Sequence, residues 1–555
     1  MTAFTRWRPY SLALGLLLAA GARAEAPRLV VLVSVDQMRA DYLERFRPCF
    51  GPGGFNLLLE QGANFADCHQ RHSLTITGPG HAVMLTGVHA DRHGIIANDW
   101  LDRDSLERVS CVGDGTVEIV GLPRSSAPRL PGIDDPYLGR SPRNLLVATV
   151  GDQLKQAHAA QSKVIGISNK DRAAILMSGR LADAAYFMEN GRMVTSTYYM
   201  KALPAWVDAW NAAGKTDACF GKTWDRLLPA AAYAVQGPDD APGEDATAGQ
   251  LGRTLPKNIN GGEAKPGPRF YEAFEASPFS NDVLEDFVEA AVTNENLGGR
   301  GVTDLLCVSF SANDHIGHLY GPDSHEIMDN IVRMDRTLAG LFKFLDRRIG
   351  LQNCIIVLTA DHGVSPMPET IHAREPATPA GRLDKTPIQP PVEAALNQAF
   401  GPLQDHSLWT VRDGSSWFLF HPAALKEKKV APAAAQAVVR DALLKLDFVA
   451  AAYTREQLEK GEPAGALGRA AQLSFNRARS GDVFFQTKPY FFGKATGSAH
   501  GTPYDYDNHV PLIWYGAGIK PGVHPERVGV DDLAPTLAHL LGLPAPPQAM
   551  GRILF

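Results

Sequence analysis

The amino-acid sequence predicts an α/β sandwich with a mainly parallel central sheet, and three observations carry that expectation. Short runs rich in Val, Ile and Leu (29–35, 163–168, 304–310, 353–359 and 510–515) show no polar alternation, which suits strands covered on both faces. Helical patterns separate them, the clearest over 324–349, where Ile327, Ile331, Met334, Leu338, Leu341, Phe342 and Leu345 recur on one face. Three of the runs lead into acidic side chains, the placement expected where ligands gather outside the carboxyl ends of parallel strands. The 555 residues divide into a leader over 1–24 and one large domain over 25–555, with insertions near 190–300 and 375–490.

The leader comes first in the chain. Arg6 and Arg8 precede a short apolar run over 11–20, and Ala22-Arg23-Ala24 fits a small-x-small cleavage site. The run is too short to span a bilayer. It predicts a cleaved signal peptide, cut after Ala24, and a periplasmic or secreted product. No cysteine for lipid attachment and no twin arginine accompany it. At 45% hydrophobic and 21% charged, the chain has an ordinary globular composition. A net charge of -6 gives no basic field for nucleic acid or an anionic membrane, and no later stretch predicts membrane insertion. The six cysteines form no C-x-x-C pair, which leaves no thiolate zinc motif; Cys307 and Cys354 fall in strand-like runs and read as free core residues.

Along the domain, Asp36 ends the first run, Asp314 follows the 304–310 run, and Asp361-His362 directly follow the 353–359 run. Carboxylates crowded on one rim are best tolerated with cations between them. Asp314 and His318 stand four apart and project to one side if 313–317 is helical, with His315 as the competitor. Oxygen and imidazole donors without sulfur favour zinc or a similar divalent ion. Thr77 precedes Gly78-Pro79-Gly80 at the start of an apolar helical run, which predicts a helix N-cap beside amides that attract phosphate. That makes its hydroxyl a candidate nucleophile. The Gly-, Pro- and Asp-rich stretch 236–269 reads as a surface loop. A Pro-rich stretch over 375–391 leads into a smaller unit with a hairpin (408–411 and 417–420), a helix (431–446) and a strand (448–453). His72, His89, His93 and His372 show no metal-like partners.

The segments SVDQMRADYLERF, TGPGHAVMLTG, Asn98-Asp99-Trp100, SNKDRAAIL, SFSANDHIGHLYGP, LTADHG, GSAHGTPYDYDNHVPLIWYG and VGVDDLAPTLAHLLG, in this order from about Leu29 to the C-terminus, resemble the alkaline phosphatase superfamily. The match is to its Thr-dependent, phosphate-irrepressible bacterial type, and more loosely to the nucleotide pyrophosphatase/phosphodiesterase branch. The resemblance implies a three-layer alkaline-phosphatase-like sandwich with inserted lid or cap segments. It implies hydrolysis of small phosphate monoesters at alkaline pH through a phosphothreonine, releasing inorganic phosphate. It further implies two zinc ions per chain, one held by Asp314, His318 and His500 and one by Asp36, Asp361 and His362, with Thr77 at the second. By the same pattern His509 is left as a supporting residue, Asn98 bonds a phosphate oxygen, and Lys170 and Arg172 mark the monoesterase. A strand placement would let those two cations face one side.

Several rivals share parts of this pattern. A phosphodiesterase or nucleotide pyrophosphatase could use the same two-metal frame. A sulfatase lacks support, because no Cys/Ser-x-Pro-x-Arg segment occurs. A phosphoglycerate mutase relative would not need an export signal. A catalytically dead phosphate-binding protein would not need the full ligand set and nucleophile.

Overall fold

Five parallel strands form the centre of an 11-stranded sheet in a computed structural model that describes residues 26–122, 138–412, 414 and 416–555. The predicted signal peptide lies outside the described residues. The strands are β1 (Leu29–Val35), β2 (Val164–Ser168), β3 (Ala184–Glu189), β4 (Asp304–Phe310) and β5 (Cys354–Thr359). Their order across the sheet is β5-β1-β4-β2-β3. Every residue of β1, β2, β4 and β5 is buried, which is why these stretches carry no polar alternation. β1 runs in register with β4 from Leu29↔Asp304 to Val35↔Phe310, and with β5 from Leu29↔Cys354 to Ser34↔Thr359. The three strands therefore stop at one level, and the segments beyond them start side by side.

The strands next to the parallel centre run antiparallel to it. Leu512–Gly516 pairs antiparallel with β5, and Arg192–Ser196 with β3. The first pairing corrects the parallel reading of 510–515. An unbroken apolar run reports burial on both faces, and strand direction is set by the connection, which leaves no trace in the run itself.

Four helices position or support the site: α1 (Thr77–Thr86), α2 (Asp171–Ser178), α3 (Ala312–Tyr320) and α4 (His325–Arg348). α4 starts where Ser324 Oγ accepts a bond from Ile327 N at 3.2 Å, and it buries the whole predicted stripe from Ile327 to Leu345. All ten residues of α1 are buried. Cys307 and Cys354 lie unpaired in the sheet, and the other four cysteines are also free. Among the described residues, no helix is long and apolar enough to cross a membrane.

Stretch 236–269 is not the bare surface loop that its composition suggests. Its Lys257 makes a fully buried ion pair with Glu326 of α4 at 2.8 Å, and Tyr320 Oη donates to Gly252 O at 3.0 Å. A paired charge and satisfied backbone groups let a few positions of this segment reach the interior, while most of it stays at the surface. Further on, Thr410–Arg412, Trp417–Phe420, Val483–Thr487 and Val449–Thr454 build a separate antiparallel sheet. Its own core contains Val392, Leu396, Trp409, Val439 and Phe485. A second cluster joins Trp417, Leu419, Phe475 and Phe484 of this unit to Leu74, just ahead of α1. Ser73 reinforces that joint, with its N donating to Ser474 Oγ and its Oγ to Gln486 Oε1, both at 2.8 Å.

Candidate two-metal site

Two groups of possible ligands meet at the carboxyl ends of the strands. Asp36 leaves β1 with its amide donating to Phe310 O of β4 at 3.0 Å, and Asp361 and His362 leave β5. These three make the first group, all fully buried. His362 Nε2 stands 3.2 Å from Asp361 Oδ2 and 3.6 Å from Asp36 Oδ1. Asp314, His318 and His500 make the second. One turn of α3 sets His318 Nε2 3.4 Å from Asp314 Oδ1, and His500 Nε2 lies 3.5 Å from the same oxygen. The helix brings His318 to Asp314, and His315 stays outside the group.

The hydrogen bonds around each group hold the imidazoles by their outer nitrogens. His362 Nδ1 donates to Gly363 O at 2.9 Å, His318 Nδ1 to Ser498 O at 2.9 Å, and His500 Nδ1 to Thr75 O at 2.8 Å. Each imidazole is thereby fixed with Nε2 facing inward, the arrangement that orients metal-ligating histidines. In the first group, Asp36 Oδ1, Asp361 Oδ2 and His362 Nε2 are all buried without a hydrogen-bond partner. In the second, His318 Nε2 and His500 Nε2 face each other at 3.2 Å although both ring protons are already used. Unpaired lone pairs converging in a dry interior are expensive unless a cation sits among them. The donor chemistry, carboxylate oxygen and imidazole nitrogen, fits zinc or a similar divalent ion at both groups.

Electrostatics point the same way. Burial, and then Asp361 beside it, push the Asp36 carboxyl up to about 7. Burial works against ionised Asp361 as well, yet His362 and His81 hold it well below the usual carboxylate range. Against its own burial, Asp361 raises His362 to about 9. Asp36 and His362, though not Asp361, therefore hold protons near neutral pH that a divalent ion displaces on binding. In the second group burial pushes His318 down to about 3 and lowers His500, which keeps both rings neutral and ready to ligate.

Lys170 stands between the two groups, with Nζ 2.8 Å from Asp36 Oδ2 and 2.5 Å from Asp314 Oδ2. Its placement corrects the strand reading of the Lys170–Arg172 pair. β2 stops at Ser168, whose Oγ accepts from Lys170 N at 3.1 Å and turns the chain into α2. Lys170 takes the N-cap position and Arg172 the first turn, so both cations stand at a helix start, with Lys170 touching the ligand groups. Arg172 Nε is buried without a hydrogen-bond partner.

Thr77 is the first residue of α1, with Ile76 in the capping position, so the cap expected at Thr77 falls one residue earlier. The Ile76 backbone is extended, and no side chain of the cap bonds the helix. Asn98 Oδ1 accepts from Gly78 N at 2.7 Å, which leaves the Asn98 amide nitrogen as a free donor beside the start of α1. Gly80 lets α1 lie against the first ligand group, since a Cβ there would fall 2.4 Å from Asp361 O. Gly80→Ala is expected to lower kcat/KM by about 10²-fold by shifting Asp361 and Thr77 apart. Activity and melting temperature measured together separate this from loss of folding.

Two contributors carry no motif of their own. Gln37 links the groups: its backbone N donates to Asp361 Oδ1 at 3.1 Å and its Nε2 to Asp314 Oδ1 at 2.7 Å. It does so at φ 65°, a left-handed conformation that a non-glycine residue adopts only under constraint. Its one signal in the sequence is a polar residue directly after a strand-end Asp. His81, fully buried in α1, has Nδ1 2.9 Å from Thr77 O and 3.2 Å from Asp361 Oδ2, while Nε2 meets Ser309 Oγ at 2.9 Å. One helical turn separates it from Thr77, a spacing that is visible in the sequence but has no partner there to give it meaning.

Comparison with known proteins bears on this arrangement. A family model described as type I phosphodiesterase/nucleotide pyrophosphatase matches residues 30–441. Alkaline phosphatase PhoV of Synechococcus elongatus is 33% identical over 95% of this chain and 92% of its own. Alkaline phosphatase PafA of Elizabethkingia meningoseptica is 31% identical over 95% of this chain and 93% of its own. The crystal structure of wild-type PafA superposes with a TM-score of 0.86 at 31% identity, covering 96% of this chain and 99% of that one. Murine ectonucleotide pyrophosphatase/phosphodiesterase 5 shares the fold more distantly, with a TM-score of 0.52 at 15% identity over 93% and 96% of the two chains.

Proposed function

The chain belongs to the type I phosphodiesterase/nucleotide pyrophosphatase family, and from that premise we propose that it is an exported alkaline phosphatase: a phosphomonoesterase with two zinc ions and Thr77 as nucleophile. Phosphoester hydrolysis and the use of divalent metal are the family's common ground. The finer assignment rests on the residues of this chain. Asp36, Asp361 and His362 would hold one ion and Asp314, His318 and His500 the other. Bound there, two divalent ions supply positive charge for the attacking and departing oxygens of an in-line displacement.

The chain's own groups divide the remaining work. Thr77 Oγ attacks phosphorus from the start of α1, and the bond to the alcohol oxygen breaks on the opposite side. Water then attacks the phosphothreonine and regenerates Thr77, releasing inorganic phosphate. The Asn98 amide nitrogen, beside the start of α1, is the donor left for a non-bridging oxygen, since Gly78 N is already bonded to Asn98 Oδ1 and Gly80 N to Ile76 O. Lys170 and Arg172 add positive charge where a monoester carries one more negative charge than a diester.

The observation that carries the monoester reading is the place of Lys170, whose ammonium touches one carboxylate of each ligand group. A cation there would lie beside a phosphoryl group bound between the two metal groups, with Arg172 in the first turn of the same helix. Charge-assisted contacts of this kind contribute about 1.5–3 kcal/mol each, or roughly tenfold to a hundredfold in rate. Lys170→Ala/Arg172→Ala is expected to lose far more monoesterase than diesterase kcat/KM, with metal content unchanged. Parallel assays on p-nitrophenyl phosphate and its methyl diester decide it. Equal loss on both substrates would put the phosphodiesterase reading first.

A further inference from the structure

A third ligand group lies outside the two already described. Asp67, His69 and His509 each offer one ligand atom, all within 4.8 Å of one another. His69 belongs to the short strand Cys68–His69, and His509 precedes the strand Leu512–Gly516. The tautomers are set by their surroundings. Asn508 Nδ2 donates to Pro503 O at 2.8 Å, so its Oδ1 is the acceptor for His69 Nδ1 at 2.8 Å. That leaves His69 Nε2 facing Asp67 Oδ1 at 2.6 Å. His509 Nε2 donates to Ala66 O at 2.9 Å, which leaves its Nδ1 uncommitted.

The composition and the construction repeat those of the Asp314 group: one carboxylate and two imidazoles, each ring held by a protein acceptor on its outer nitrogen. The surroundings differ. His69 is nearly buried, but Asp67 keeps 38% of its side chain exposed. His509 also lines a cavity of about 400 Å³ together with Asp41, Glu44 and Asn64. A cation held here would complete its shell with water and would touch no substrate.

We propose that Asp67, His69 and His509 form a third metal site, one that takes zinc or a cation of similar donor preference and braces the catalytic loops from outside. The bracing follows from the backbone. His509 O accepts from Ala40 N at 3.1 Å, just past Asp36, and Asp507 O accepts from Gly363 N at 2.6 Å, next to His362. An ion tying the segment at Asp67 to His509 restrains both catalytic loops where they leave the sheet. The His69 and His509 rings stack at 4.6 Å and 10°. Two lone pairs can share one ion only if those planes open, so capture of the metal tilts the rings apart.

Metal-free, tag-free full-length protein dialysed to equilibrium against buffered free zinc provides the test. Wild type is expected to take up one equivalent more than Asp67→Asn, and one more than His509→Gln. Asp67→Asn keeps a hydrogen-bonding partner for His69, so its fold is expected to stay intact, as circular dichroism will show. Only the difference of one equivalent is read, and that does not depend on how many ions the catalytic groups hold. Added zinc should then raise the melting temperature of wild type by more than that of either variant, because the variants keep only the catalytic groups to bind it. Equal uptake by wild type and variants overturns the proposal.

Discussion

Asp361→Ala is expected to bring phosphoester hydrolysis close to the background rate, a loss on the order of 10³-fold or more. Its two oxygens do different work. Oδ1 is held by the amides of Gln37 and His362, and Oδ2 turns inward beside His362 Nε2. Truncation removes one of three inward-facing donors and leaves His362 without the carboxylate that raises its pKa. Metal occupancy and chemistry should therefore fall together. Chelation of the wild type should give the same loss, and added zinc should restore the wild type but not the variant. Rates measured beside metal content by mass spectrometry make the comparison. A chelated, metal-free wild type that kept its full rate would end the two-metal reading.

Thr77→Ala is expected to cost roughly 10⁴-fold or more in kcat while leaving metal content and phosphate affinity near wild type. Thr77 is the first residue of a helix whose residues are all buried, so losing one hydroxyl and one methyl should not move the backbone. Thr77→Ser keeps the hydroxyl and should retain appreciable activity. Acid quenching of wild type during turnover of labelled monoester should leave the label on Thr77. Label on any other residue would reassign the nucleophile.

Much of the site is legible because strand burial and strand ends leave marks in sequence. The unbroken apolar runs of β1, β4 and β5 reveal their two covered faces, and Asp36 and Asp361-His362 follow those runs directly. The four-residue spacing of Asp314 and His318 is readable because one helical turn sets it. His500 has no such mark. It sits on a loop, and its ring is aimed by Thr75 O from the other end of the chain, so only the family pattern points to it. Gln37 and His81 act through partners brought in by the fold, and no local spacing announces such partners. Lys170 and Arg172 read as a strand pair because the turn that lifts them off the strand is made by a single hydroxyl, that of Ser168.

The joint between the smaller sheet and the segment leading into α1 has a consequence in time. Ser73 is held by Ser474, and Thr75 by His500, across sequence separations of 401 and 425 residues. Contacts between residues so far apart form late, after a large loop-closure entropy has been overcome. During synthesis, an emerging N-terminal portion carries Asp36 and Thr77 without the distant residues that hold them. Hydrolytic competence should appear abruptly, once the last tenth of the chain is in place, and not build up with length. The fold thereby acts as its own clock: the enzyme stays silent while its chain is being made and switches on once the ligands near its C-terminal end are in place.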